Sequence, residues 1–239
     1  MARITSYFKE RITRTFTSLI LLIFIGCSMI RLNYNCNDSN DLYSNYKELK
    51  KYEKKGIDFE IRYKLRKKSK FSIIAIHGGK IEYLTDEIAF EIANNKYSYY
   101  AFLGIKPKNN YRLHITATCF DEPTALKIAS SSLEVIAIHG CKSNKEIIHI
   151  GGLDFELVKY LKTNLSKAGF NCGNCENPEI SGENPKNICN KGKLKKGIQI
   201  ELSKGIRKKF ETNGIKTEYF YKFISVIKKT LSEYSDKVN

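Results

Sequence analysis

The tetrapeptide Ala-Ile-His-Gly occurs twice, at Ala75–Gly78 and Ala137–Gly140, each time closing an apolar run. Its histidines, His77 and His139, are half of the four in the chain. Five residues after His77 comes Glu82, in the loop HGGKIE, a spacing that lets the chain double back so that imidazole and carboxylate converge. Two imidazoles and one carboxylate, with a fourth position left for water, make a catalytic zinc set. Such an ion lowers the pKa of its water toward neutrality and polarises a scissile carbonyl. A single His at a strand end is more often structural; two in the same strand–His–Gly context, one with a Glu nearby, favour ligation. Hydrolysis at a metal also needs a general base that faces the ion without binding it. Glu201 is the candidate, on the polar face of the alternating run GIQIEL; a solvent-facing place on an edge strand is the competing reading.

These groups need a sheet to hold them. Phe71–Ile76 (FSIIAI) and Leu133–Ile138 (LEVIAI) are continuous apolar runs with β-branched residues, the form of strands buried on both faces. In open α/β sheets ligands collect beyond the carboxyl ends of strands, where His77 and His139 stand. Glycine after each His permits a sharp turn and leaves room above the ring. Further strands are expected at Phe59–Tyr63, Tyr97–Gly104, Tyr111–Thr116, Glu146–Ile150 and Ile198–Leu202, and helices at Tyr46–Lys54, after an N-cap at Thr85, at Leu153–Lys167 and at Thr217–Tyr234. A loop from Gly169 to Lys196, rich in Asn, Gly, Pro and Cys, is too long for a mere connector. Strands alternating with helices predict an α/β fold with an open mixed sheet sandwiched by helices.

The 239 residues carry a net charge of +16, from 41 Lys and Arg against 25 acidic residues. That excess suits a polyanionic partner; a codon bias toward Lys, Asn and Ile accounts for it equally well. The basic residues form no arm with interleaved aromatics, so nucleic acid is not an expected partner. Seven cysteines stand at 27, 36, 119, 141, 172, 175 and 189. No second CxxC joins Cys172 and Cys175 in a four-thiolate zinc site, which leaves them as a loop staple or free thiols. Arg3, Lys9, Arg11 and Arg14 precede the apolar segment Phe16–Ile30, the form of an export signal. The segment is shorter than the roughly 20 residues of a membrane span, and Cys27 after Ile25-Gly26 loosely resembles a lipoprotein attachment site. The expected organisation is a signal peptide or membrane anchor at 1–32, a polar connector at 33–45 and a zinc hydrolase domain at 46–239, exported or membrane-anchored and monomeric.

Six motifs occur in order: AIHGGKIEYLTDEIA, LHITATCFDEP, AIHG, GGLD, NICNKG and GIQIELSKGIR. Together, from about Tyr46 to Tyr234, they resemble the phage-type poly-γ-glutamate hydrolases, zinc peptidases related to the carboxypeptidase A group. The resemblance implies a zinc carboxypeptidase-like α/β fold, Zn2+ held by His77, Glu82 and His139, and Glu201 as general base. It implies a γ-linked glutamyl polymer as substrate, for which Arg207, Lys191, Asn187 and Asn190 are the candidate grips. His114 and Asp121 are expected to support the site or build its rim, and His149 to be an ordinary strand residue. Lys80, where a third glycine is common, and Tyr83, Leu84 and Asp86 depart from the family pattern beside the ligands, which bears on substrate preference. The alternatives are a zinc carboxypeptidase or deacylase acting on other acidic or cell-wall peptides, and a non-catalytic polyanion-binding module.

Overall fold

The computed structural model describes residues 40–173 and 180–237. The described residues all belong to one compact unit. Its frame is a seven-stranded sheet: β1 (Phe59–Lys64), β2 (Phe71–Gly79), β3 (Ser98–Gly104), β4 (Glu134–Cys141), β5 (Ile148–Gly152), β6 (Cys172–Gly173) and β7 (Ile198–Ser203), in the order β1-β3-β2-β4-β7-β5-β6. The central strands β3, β2, β4 and β7 run parallel, while β1 pairs antiparallel with β3 and β5 antiparallel with β7. Helices α1 (Tyr46–Leu49), α2 (Thr85–Ala93), α3 (Pro123–Ser131), α4 (Phe155–Lys167), α5 (Lys204–Lys209) and α6 (Glu218–Lys237) complete the unit.

The continuous apolar runs are buried on both faces, as parallel central strands require. Ile73 and Ala75 of β2 join Ile136 and Ile138 of β4 and Ile198, Ile200 and Leu202 of β7 in one core, closed by α2, α4 and α6. Ile74, Ile76 and Val135 point the other way, into a core shared with Leu49, Leu113, Ile115, Phe120 and the α3 residues Ala125 and Ile128. Strand parity therefore puts Gln199 and Glu201 on the face that carries Val135, opposite the large helical core.

Three local expectations need correction. Tyr111–Thr116 is not a strand: Asn110–Leu113 form a 3₁₀ turn, with Arg112 N–H bonded to Asn109 O and His114 N–H to Tyr111 O. Leu113 and Ile115 are buried, so the apolar spacing is real, but the segment crosses the sheet's carboxyl edge instead of pairing with it. Thr85 lies inside α2, not at its cap; its hydroxyl donates to Glu82 O at 2.8 Å, and Leu84 precedes it in the left-handed region at φ 75°. Helix α3 is absent from the sequence reading, although Glu122 caps it by accepting from Ala125 N–H and Pro123 opens it. Among the described residues no helix is long and apolar enough to cross a membrane; the apolar segment at 16–30 lies outside them.

Candidate active site

His77 sits near the end of β2 and His139 near the end of β4, both almost wholly buried. The loop after His77 folds back on itself: Glu82 N–H donates to His77 O at 2.8 Å and Ile81 N–H to Gly78 O at 3.3 Å. This places the Glu82 carboxylate between the two rings. Its Oε1 lies 3.0 Å from His77 Nδ1, and its Oε2 is 3.7 Å from His139 Nδ1 and accepts Gly140 N–H at 2.7 Å. The two Nδ1 atoms are 3.2 Å apart.

The glycines of both motifs make room for specific neighbours. A Cβ on Gly78 would stand 2.6 Å from Asp86 Cβ, and one on Gly140 2.8 Å from the Arg207 guanidinium carbon. Asp86, one of the departures from the family pattern, accepts Gly79 N–H at 2.8 Å and so braces the turn that carries the ligands. Gly79 itself has φ 63° and no space for a side chain against Gly104 O.

Do these residues suit a metal ion? His77 Nε2 faces the Ile115 carbonyl at 2.9 Å, and since a carbonyl only accepts, that nitrogen carries the hydrogen. Nδ1 is then the nitrogen left to face the cluster, and it offers a lone pair to an ion once its own proton is displaced. Two imidazole nitrogens and a carboxylate separated by 3.0, 3.2 and 3.7 Å are spaced as donors around one ion with bonds of about 2.0–2.2 Å. A carbonyl fixing the far side of a ring is the usual support of a ligating histidine. The donor set suits zinc. In the protein alone the two Nδ1 atoms are close enough to share a hydrogen bond, and His139 Nε2, buried, has no partner among the described residues.

The electrostatics are those of a carboxylate among imidazoles. Burial alone would raise the pKa of Glu82, but His77 and His139 outweigh it and hold the group well below the ordinary carboxylate range. For His139, burial works against the charged ring, yet Glu82 and Glu201 prevail and its pKa is raised. Glu201 lies in register with His139 across β4 and β7. Burial, with the Glu82 charge adding to it and His139 opposing, pushes Glu201 up to about 7. That suits an acid–base group at neutral pH.

The remaining candidates separate. Arg207 reaches the rim, but its guanidinium donates to Leu202 O at 3.1 Å, Tyr83 O at 2.8 Å and Cys141 O at 3.2 Å. It stitches together the ends of β4 and β7 and the Glu82 loop. Asn187 is buried and joins the site indirectly: its amide donates to Gln199 Oε1 at 2.8 Å, and Gln199 Nε2 donates to Glu201 Oε1 at 2.8 Å. Asn190 is turned inward onto Gly182 O and Asn184 O. Lys191 makes no ion pair among the described residues; burial and the charges of Lys195 and Lys186 lower its pKa. Asp121 accepts from the N–H groups of Tyr46 and Lys47 and anchors α1. His149 is directly opposite Glu201 on β5.

Two contributors escape the sequence reading. Gln199 shares the face of Glu201 and could have been found from the same alternation. Asp41, in the segment expected to be a connector, accepts from His114 Nδ1 at 2.7 Å, Thr116 N–H at 2.6 Å and Thr116 Oγ1 at 2.7 Å. No local signal announces it.

Residues 43–226 match the family model described as poly-gamma-glutamate hydrolase. The chain is 34% identical to the UPF0714 protein YmaC of Bacillus subtilis (strain 168), over 91% of this chain and 96% of that one. A solved bacteriophage poly-gamma-glutamate hydrolase superposes with a TM-score of 0.78 at 29% identity, covering 82% of this chain and 99% of that one. The zinc-free apo form of YndL does so with 0.73 at 36% identity, covering 81% and 98%.

Proposed function

This chain belongs to the poly-gamma-glutamate hydrolase family, and from that membership we propose that it is a zinc-dependent amidohydrolase cleaving γ-glutamyl amide bonds. The observation that carries the reading is the convergence of His77 Nδ1, His139 Nδ1 and the Glu82 carboxylate within 3.0–3.7 Å of one another, beside a buried second carboxylate. The zinc-free description of the YndL structure supports the choice of metal. When bound by His77, Glu82 and His139, zinc supplies a Lewis acid for the scissile carbonyl and a water of lowered pKa.

The chain's own residues do the rest. Glu201, with a pKa of about 7 in the protein alone, takes the proton of the attacking water and returns it to the leaving amine. Gln199 holds one carboxylate oxygen of Glu201, leaving the other free for that transfer. Ile115 O and Gly140 N–H fix His77 and Glu82 in the geometry of ligands, so little reorganisation is needed on loading. Arg207, beside Glu82 and Glu201, contributes positive potential to a site that must receive a polyanion, and the net charge of +16 acts the same way at longer range.

The basic-then-apolar N-terminus supports export, and so does the disulfide in which Cys119 takes part, since such bonds persist in oxidising compartments. N-terminal sequencing of the mature protein tests that reading. The function itself is tested with zinc-loaded protein on γ-linked and α-linked oligoglutamates. Release of new amino groups from the γ-linked set is expected; cleavage confined to the α-linked set would point instead to a carboxypeptidase acting on ordinary acidic peptides.

A further inference from the structure

We infer that His114 is a further imidazole of the metal centre, turned toward it by Asp41. The inference rests on the zinc reading above and adds to it a donor and an anchoring carboxylate outside the ligand set already described.

His114 follows the 3₁₀ turn at the carboxyl edge of the sheet, and its ring stacks on that of His77, with centroids 3.9 Å apart and planes 26° apart. Its Nδ1 is committed to Asp41 at 2.7 Å, so Nε2 is the nitrogen left to face the site, 3.8 Å from Glu82 Oε1. One donor atom from each of His77, Glu82 and His114 lies within 4.8 Å of the others. A histidine bound through one nitrogen and held by a carboxylate through the other is the common form of a ligating ring. Of the three imidazoles, His77 and His114 have an outer partner, Ile115 O and Asp41, whereas His139 Nε2 has none among the described residues.

The segment 114–116 is built for this. The side chain of His114, the carbonyl of Ile115 and both donors of Thr116 all serve the cluster or its anchor, within three consecutive residues. Among the described residues, the hydrogen bonds of Asp41 are all with His114 and Thr116. The His114 side chain is 35% exposed, against 2% and 3% for His77 and His139, so it forms the solvent side of the centre.

The test uses the whole chain stripped of metal by chelator, in four forms: unaltered, His114→Ala, Asp41→Asn and His77→Ala. Zn2+ affinity is measured by competition with a chromophoric chelator, and the coordination sphere is read from the visible bands of the Co2+-loaded protein. Asp41→Asn is expected to weaken Zn2+ binding about 10–100-fold, the range for an outer partner of a ligand. His114→Ala is expected to weaken it further and to change the cobalt bands, which a merely structural residue would leave in place. Wild-type affinity and unchanged bands in His114→Ala, with metal lost from His77→Ala, overturn this inference and leave the zinc reading standing. Metal retained at full stoichiometry in His77→Ala overturns both. Should His114→Ala fail to fold by circular dichroism, Asp41→Asn decides on the same two readouts: wild-type values overturn the inference.

Discussion

Strand β4 carries a buried ionisable residue at each end, and the two ends behave differently. At its start Glu134 is buried next to Asp154, the residue that caps α4 by accepting Leu157 N–H at 3.0 Å. Lys196 Nζ lies 2.8 Å from Asp154 and 3.9 Å from Glu134, and Tyr234 Oη donates to both Asp154 oxygens at 2.9 and 3.0 Å. Burial and the Asp154 carboxylate push Glu134 up to about 8, so one proton and one charge are shared by two acids, with a cation and a hydroxyl around the charge. Near the other end, His139 meets Glu82, His77 and Glu201. There the lone pairs converge on a common point instead of being matched by protein donors. The first arrangement matches the Asp154 charge with protein donors and holds α4 and α6 to the sheet; the second leaves donor atoms that suit an ion. A cluster whose acceptors outnumber its donors and face one another is the kind that suits a cation.

The largest test of that contrast is Glu201→Gln. If Glu201 moves the proton of the reaction, the substitution lowers kcat by about 10²–10⁴-fold while zinc stays bound at full stoichiometry, since His77, Glu82 and His139 are untouched. Steady-state kinetics and metal analysis on the same preparation check both halves. Unchanged kcat would remove Glu201 from the mechanism and leave the carboxyl end without a base.

The smaller but slower-changing effect belongs to the other end. The folded-state pKa of Glu134, about 8, lies above its ordinary value of 4.5, so folding takes up a proton between those values. The associated stability is fully present below about pH 4.5 and is lost as pH rises toward 8, by at most about 1.4 kcal/mol per pH unit. Glu201 and His139 drift in the same direction in metal-free protein, so the informative quantity is the difference between wild type and Glu134→Gln in chemical denaturation. The glutamine, an isostere of the protonated acid, is expected to flatten the curve over that window. Parallel curves would mean that Glu134 is ionised in the fold and that Lys196, not a shared proton, balances it.

How much of this could be read from the residues alone follows the range of the interactions. That His77, His139 and Glu201 come together is legible because strand periodicity and the repeated His-Gly context are local patterns, and that Glu82 joins them because a short loop limits where its carboxylate can go. The buried runs that became β2, β4 and β7 were legible for the same reason. Asp41 was not, since its partners lie 73 and 75 residues away and its neighbourhood reads as a polar connector. Tyr111–Thr116 misled because Leu113 and Ile115 alternate like a strand while their backbone groups serve turns and His77. Asn187 and Asn190 looked like groups for a substrate because burial, which turns them into framework, leaves no trace in a loop rich in Asn and Gly.

The smallest effect asks whether the two ends of β4 communicate. Tyr234→Phe removes one hydroxyl that donates to a charged carboxylate, yet Asp154 keeps Lys196 and Leu157 N–H. The loss is therefore expected near the low end of the range for such bonds, about 1–2 kcal/mol, and is measured as a shift in denaturation midpoint at constant slope. Zinc affinity and kcat per folded molecule should be unchanged, because the hydroxyl acts on α4 and α6 at the amino edge and touches nothing in the Glu82 cluster. A tenfold fall in kcat with the protein fully folded would break the contrast, since the amino-edge cluster would then be tuning the carboxyl edge through β4 rather than only holding the helices in place.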